Sequence, residues 1–189
     1  MMIKFQFMLI LGLVLIIAGC KQFSEKVVDQ SAGLNGGFEV SKNNLPVNWL
    51  MYTPKTVPNA DFVIVLDTSA FKEGKQSLRF DVKKCTSDGG WGSPGFTSEF
   101  TEAGRFKGEG RYKLSFWIKN NRTKYSISAG GVEEQKGDMK TLLLGNDQID
   151  DWHLFEYEID IPKDRWLRME LNILQPGTFW IDDIKVEKI

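Results

Sequence analysis

The fold of this protein is decided by the stretch Gly110-Arg111-Tyr112-Lys113-Leu114-Ser115-Phe116-Trp117-Ile118-Lys119. Its apolar side chains recur at every second position from Tyr112 to Ile118 and alternate with polar or charged ones. Two residues is the side-chain period of a β-strand, so one face of this strand is predicted to lie against a core. Trp117 breaks the pattern, because the register places its indole on the polar face.

The same alternation recurs in three other segments, Leu78–Val82, Phe155–Ile161 and Leu167–Ile173. We expect these four strands to form one apolar layer. Turn-forming Gly, Asn, Asp and Pro residues separate them from further strand candidates, which are Phe62–Leu66, Gly95–Phe100, Tyr125–Gly131, Lys140–Leu144 and Thr178–Lys188. No helical period is found beyond the N-terminal segment. The pattern therefore predicts an all-β protein with an antiparallel β-sandwich or barrel.

The N-terminus has the features of an export signal. Lys4 supplies positive charge, and the apolar run from Leu9 to Ile17 is too short to span a bilayer comfortably. The run ends in Ile17-Ala18-Gly19-Cys20, which resembles the lipobox of bacterial lipoproteins. That resemblance implies cleavage before Cys20 and a diacylglycerol on its thiol. The alternatives are an ordinary signal peptide cut after Ala18 or Gly19, or an uncleaved helix.

These observations divide the chain into three parts. Residues 1–19 are a predicted signal peptide, residues 20–33 carry the lipidated Cys20 and a tether, and residues 34–189 form one domain. A lipid-anchored place in the bacterial cell envelope follows, with the membrane as a partner. Lys21 after the cysteine favours the outer membrane, by resemblance to the enteric sorting rule. The formal net charge of -1 argues against a nucleic-acid partner.

The chain has two cysteines and one histidine. If Cys20 carries lipid, Cys85 has no intramolecular partner, and it serves either as an apolar filler or as a thiol that pairs between molecules. His153 alone cannot form a histidine cluster for zinc.

Five pieces, in this order, resemble the jelly-roll carbohydrate-binding modules of families four, nine and twenty-two. They are Asn35-Gly36-Gly37-Phe38-Glu39, Leu45-Pro46-Val47-Asn48-Trp49, Gly74-Lys75-Gln76-Ser77-Leu78-Arg79-Phe80, the 110–119 stretch, and Thr178-Phe179-Trp180-Ile181-Asp182-Asp183-Ile184. The resemblance implies a jelly roll of the galactose-binding-like type that binds soluble glycan or polysaccharide without catalysis.

Sugar recognition needs flat apolar surface together with directed hydrogen-bonding groups. Trp117 on its polar face, Trp91 in a glycine-rich loop and Tyr125 at a predicted groove rim are the aromatic candidates. Polar candidates on neighbouring strands are Arg79, Glu170 and Asn172. The alternatives are that Trp117 is covered by a loop or by the second layer, and that the polar residues are solvated sheet positions.

The resemblance also suggests a structural Ca²⁺ bound by Glu39 and the Asp182-Asp183 pair, with a backbone carbonyl near Gly74 or Lys75. Calcium prefers six to eight oxygen ligands, which suits carboxylates and carbonyls from distant strands. The alternative is that these acids accept hydrogen bonds at strand ends.

The first hypothesis is a non-catalytic lipoprotein that binds a polysaccharide or oligosaccharide, with possible protein partners in a glycan-utilisation system. The second is a structural or protein-docking lipoprotein that uses the same sandwich without sugar. The third is a small lyase or glycosidase using acids such as Asp81 and Glu170, and it ranks last because nothing in the sequence fixes their separation.

Overall fold

The computed structural model describes residues 27–86, 88–89, 92–99, 109–133 and 136–189. The predicted signal peptide and Cys20 lie outside the described residues. Within them the chain forms a 3₁₀ turn at Gln30–Ala32. The strands are β1 Ser41–Lys42, β2 Leu45–Pro46, β3 Leu50–Tyr52, β4 Asp61–Asp67, β5 Ser77–Lys84, β6 Gly95–Glu99, β7 Gly110–Asn121, β8 Tyr125–Glu133, β9 Lys136–Gly145, β10 Ile149–Ile161, β11 Trp166–Ile173 and β12 Gly177–Lys188.

Two five-stranded sheets face each other across one core. Sheet I has the strand order β10-β7-β12-β5-β4, and sheet II has the order β3-β6-β11-β8-β9. All of their neighbouring strands are antiparallel. The short strands β1 and β2 form a separate ribbon. The prediction of an all-β antiparallel sandwich of the jelly-roll type is confirmed.

The period-two patterns predicted the buried faces correctly. In β7 the side chains of Tyr112, Leu114, Phe116 and Ile118 are all buried. The expectation that the four alternating strands form one layer is wrong, because β5, β7 and β10 lie in sheet I whereas β11 lies in sheet II. Alternation shows which face of a strand is apolar, but it does not show which sheet the strand joins.

The centre of the sandwich is an aromatic cluster. The rings of Trp49 and Phe96 meet edge to face with centroids 4.8 Å apart, and Phe38 lies 5.5 Å from Trp49. Phe80 of sheet I reaches Phe96 of sheet II. These contacts join both sheets, and such ring pairs add to the hydrophobic stabilisation that their burial provides.

The segment Asn35-Gly36-Gly37-Phe38-Glu39 fastens the start of the domain to its last strand. The Asn35 side chain donates to the carbonyls of Val40 and Val47, and Trp49 donates to the Asn35 carbonyl. Gly36 lies so close to β12 that an added Cβ would stand 1.9 Å from the Ile184 oxygen. Only glycine fits there, because any side chain would push the two backbones apart.

In the part of the chain that the structure describes, no helix is both long and apolar enough to cross a membrane.

Candidate functional site

The outer face of sheet II carries a row of large polar and aromatic side chains on β11. Leu167, Met169, Leu171 and Ile173 are buried in the core. The alternating positions therefore point away from the core, and they are Trp166, Arg168, Glu170 and Asn172. One strand thus presents an indole, a cation, a carboxylate and an amide side by side.

The neighbouring strand β8 carries small residues on the same face. Ser126, Ser128 and Gly130 pair in register with Asn172, Glu170 and Arg168 of β11. On the far side of β8, the register partners on β9 are Leu144, Thr141 and Met139. Because small residues lie between two rows of larger ones, we expect a depression along the strand. We call this depression the β8 groove, with Ser126, Ser128 and Gly130 as its floor.

Glu170 is held in place by a tyrosine on β3, the edge strand of the same sheet. Tyr52 Oη donates a hydrogen bond of 2.7 Å to Glu170 Oε1. Burial raises the pKa of Tyr52 above its ordinary range, and the nearby charge of Glu170 raises it further. The phenol therefore stays protonated and keeps donating, which orients the carboxylate beside the groove.

Trp166 Nε1, a donor, and Asn172 Oδ1, an acceptor, are buried polar atoms of this row without a hydrogen-bond partner among the described residues. The Asn172 side chain is 7% exposed. Because buried polar atoms are nearly always paired, these two mark hydrogen-bonding capacity that the described part of the fold leaves unused.

Gly89 lies close to the Asn172 end of the row. An added Cβ on Gly89 would lie 3.8 Å from Asn172 Cγ. Ser93 accepts from the Gly89 amide and donates to the Thr86 carbonyl, so the loop is held at its base. Trp91, predicted in this loop, lies outside the described residues.

The remaining sugar-binding candidates do not share this face. Trp117 and Arg79 lie on the outer face of sheet I, where Lys72 Nζ stands 4.1 Å from the Trp117 ring centroid and Arg79 pairs with Asp67 and Asp81. The expectation that Glu170 and Asn172 lie on a strand neighbouring that of Trp117 is wrong, because β11 belongs to the other sheet.

The predicted rim position of Tyr125 is also wrong. Its side chain is 1% exposed and lies against Phe179, with ring centroids 4.7 Å apart. Tyr125, Ile127 and Ala129 form the core-facing side of β8, so the first residue of this strand points inward.

The acids proposed for calcium hold one loop. Asp182 is fully buried and accepts hydrogen bonds from the amides of Lys72 and Glu73, at 2.6 and 3.0 Å. Burial raises the pKa of Asp182 to about 6. Glu39 Oε1 accepts from the Lys75 amide at 2.8 Å. Both carboxylates therefore fasten the segment 72–76 to the strand ends.

The amide of Asp183 donates to Asp182 Oδ1 at 2.7 Å, but the Asp183 carboxylate does not join this arrangement, because it pairs with Lys185 Nζ at 2.6 Å. Among the described residues, no group of three or more His, Cys, Asp and Glu side chains could hold a metal ion. Glu39 and Asp182 fit calcium as hard oxygen donors, but the rest of the six to eight ligands would have to be carbonyls or water.

Sequence reasoning missed two residues of the β8 groove, Trp166 and Tyr52. Trp166 has the same strand parity as Glu170 and Asn172, so the alternation could have identified it. Tyr52 could not have been found, because its strand is only three residues long and its contact with Glu170 spans 118 positions.

The fold is that of carbohydrate-binding modules. The CBM22-1 xylan-binding domain of Paenibacillus barcinonensis Xyn10C is similar over 82% of this chain and 92% of its own, with a TM-score of 0.54 and 12% identity. The C-terminal family 22 module of Clostridium thermocellum Xyn10B is similar over 81% and 91%, with a TM-score of 0.54 and 14% identity.

A family 4 carbohydrate-binding module is similar over 82% of this chain and 98% of its own, with a TM-score of 0.53 and 14% identity. The sequence matches no protein-family model and no curated protein. At these identities the likeness defines the class of fold, a carbohydrate-binding-module β-sandwich.

Proposed function

We propose that this chain is a non-catalytic, lipid-anchored protein that binds a polysaccharide or oligosaccharide in the β8 groove. The observation that carries the proposal is the β11 row, in which Asn172 Oδ1, beside Ser126, and Trp166 Nε1, beside Val132, are buried without partners among the described residues. Sugar hydroxyls both donate and accept, so different rings of one sugar chain could satisfy the indole N–H and the amide oxygen at the two ends of the row.

A depression along β8 would suit a sugar chain. The floor of Ser126, Ser128 and Gly130 runs along β8, so an extended ligand would lie parallel to the strand. Leu144, 59% exposed on the β9 side, offers an apolar contact, while Glu170 offers an oriented acceptor on the β11 side. Similar folds support this choice of ligand, since one is a xylan-binding domain and another contains a family 22 module complexed with xylohexaose.

The binding proposal is tested by titrating the full chain, in mild detergent, with xylan, β-glucan, galactan and their oligosaccharides. Glu170→Gln and Asn172→Ala should each weaken binding by about tenfold, the effect of losing one well-placed hydrogen bond to a ligand. Glu187→Gln is the matched control, because Glu187 is an exposed carboxylate on sheet I. Unchanged affinity in both groove variants would place the site elsewhere.

The same titration distinguishes the other functions. A protein-docking role predicts no glycan affinity and no glycan-dependent rise of the melting temperature, whereas a bound ligand raises it. A lyase or glycosidase would release reducing or unsaturated ends from the panel on long incubation.

Anchoring through Cys20 is part of the proposal and is tested in cells. A labelled fatty acid should be incorporated into the chain, and Cys20→Ser should abolish both the label and the recovery of the chain in the membrane fraction. Fractionation of the envelope then tests the proposed outer-membrane location.

A structural Ca²⁺ at Glu39 and Asp182 is also proposed, since both acids hold the segment 72–76. Calcium should raise the melting temperature of the full chain over that in chelator, whereas magnesium should not. Glu39→Gln should remove the response, and Asp183→Asn should retain it because Asp183 pairs with Lys185. A melting temperature indifferent to calcium would leave these acids as acceptors of loop amides alone.

A further inference from the structure

Trp117 lies on the outer face of sheet I, opposite the β8 groove. Its register partners are Leu154 on β10 and Asp182 on β12. Lys72 Nζ stands 4.1 Å from the ring centroid, so a flexible exposed side chain reaches the indole from the solvent side. Leu154 is 37% exposed, which extends the apolar surface beside Trp117.

Trp180 provides a second ring on the same sheet face. Its Nε1 donates to Asp67 Oδ2 at 2.9 Å, although Asp67 lies on β4, two strands away from β12. To reach that far the indole must lie across β5 rather than stand upright, which directs one ring face outward. Lys119 Nζ lies 5.6 Å from its centroid. Trp180 pairs with Lys119, two residues along β7 from Trp117, so the two tryptophans are diagonal neighbours.

Some of the basic side chains on this face form ion pairs with described carboxylates, and others do not. Arg79, Arg111, Lys113 and Lys185 each form an ion pair with a carboxylate. For Lys72 and Lys119 no ion pair with a described residue is found, and their ammonium groups lie over the two indoles instead. We call Lys72, Trp117, Lys119, Leu154 and Trp180 the tryptophan face.

We infer that the tryptophan face is a second binding surface, for an anionic polysaccharide whose sugar rings carry carboxylates. A pyranose ring of such a chain has an apolar side that can stack on an indole, and its carboxylate can pair with the neighbouring lysine. Lys72 can leave the Trp117 ring readily, because a cation–π contact at an exposed site is weak. This surface lies on the other sheet from the β8 groove, so the inference does not rest on the proposed function.

The same features make a neutral glycan a poorer ligand here. Two ammonium groups above the rings favour a partner that brings negative charge, and such attraction is screened by salt. Affinity for the tryptophan face should therefore fall as ionic strength rises, whereas affinity at the β8 groove, which relies on hydrogen bonds, should change little.

The test is titration of the full chain, in mild detergent, with oligogalacturonate and with its fully methyl-esterified form, which keeps the rings but loses the charge. We expect binding of the acid, about tenfold weaker binding of the ester, and weakening with salt. Trp117→Ala should abolish binding of the acid, while Lys72→Gln and Lys119→Gln should each weaken it severalfold and reduce the salt dependence.

Three further variants keep the result interpretable. Lys140→Gln makes the same charge change on an exposed lysine of sheet II and should have no effect. Trp117→Tyr retains an aromatic ring and should retain most binding if Trp117→Ala fails to fold. Glu170→Gln should leave oligogalacturonate binding unchanged, which separates this surface from the β8 groove.

Three outcomes would overturn the inference. The first is equal affinity for the acid and the ester. The second is unchanged binding in Trp117→Ala. The third is binding to vesicles rich in anionic lipid, but not to oligogalacturonate, which would make the tryptophan face a membrane contact instead.

Discussion

Tyr52 Oη donates to Glu170 Oε1 over 2.7 Å, joining the edge strand β3 to β11 across β6. The contact sets the direction of a carboxylate that would otherwise rotate freely beside the β8 groove. Tyr52 pairs in register with Gly95, which pairs with Asn172, so both partners of the contact lie on the outer face of sheet II, where Tyr52 is buried and Glu170 is partly exposed. The orientation of Glu170 is thus part of the fold rather than something a ligand must impose.

Tyr52→Phe should therefore weaken glycan binding at the β8 groove severalfold although the ring remains. The lost hydrogen bond to a charged acceptor should also lower the free energy of unfolding by about 1.5 kcal/mol. Titration and urea denaturation of the full chain measure the two effects.

A double-mutant cycle supplies the control for this pair. If Tyr52 acts only by orienting Glu170, then Tyr52→Phe should cost no further affinity in a Glu170→Gln background. Additive losses would show that Tyr52 affects the ligand by another route.

Trp166→Phe should separate binding from stability. The indole N–H of Trp166 is buried without a partner, so removing it relieves an unsatisfied donor and should change the free energy of unfolding by less than about 1 kcal/mol. Glycan affinity should fall, because the donor is proposed to meet a sugar hydroxyl. Trp180→Phe is the matched control. It removes an indole N–H that donates a hydrogen bond to Asp67, so it should destabilise the fold more than Trp166→Phe does. A larger stability loss in Trp166→Phe would contradict this account.

The sequence could predict the sandwich because period-two alternation over eight or more residues leaves little choice of buried face. It could also predict that Glu170 and Asn172 point outward. The sequence could not show that β11 belongs to sheet II, because strand pairing depends on partners far along the chain. For this reason Trp117 and Glu170 were predicted to lie on one surface. The prediction for Tyr125 was wrong for a local reason, because the first residue of a strand can point into the core as well as toward the rim of a groove.

Cys85 should react slowly with thiol reagents in the folded chain. It is half-buried against the core, and burial raises the pKa of its thiol, so little thiolate is present at neutral pH. A Cys20→Ser variant allows Cys85 alone to be followed with a chromogenic disulfide reagent. Labelling should accelerate strongly in denaturant, and a non-reducing gel should show monomer. Fast labelling of the folded chain, or a disulfide-linked dimer, would favour the pairing role instead of the filler role.

Asp67 should make stability depend on acid pH. Burial alone would raise the pKa of Asp67, but hydrogen bonds from Ser69, Trp180 and Arg79 outweigh it and hold the pKa well below the ordinary value of 3.8. A carboxyl whose folded pKa is lowered contributes stability above its unfolded pKa, and this contribution is lost as pH falls toward the folded pKa.

Asp67→Asn should therefore lower the free energy of unfolding by about 2 kcal/mol near pH 7. The difference in this free energy between the variant and the native chain should shrink steadily below pH 3.8. Asp81→Asn, which removes a more exposed partner of Arg79, should cost less than about 1 kcal/mol. Urea denaturation of all three chains between neutral and strongly acid pH gives the measurement, and a difference that stays constant across this range would show that the charge of Asp67 contributes nothing.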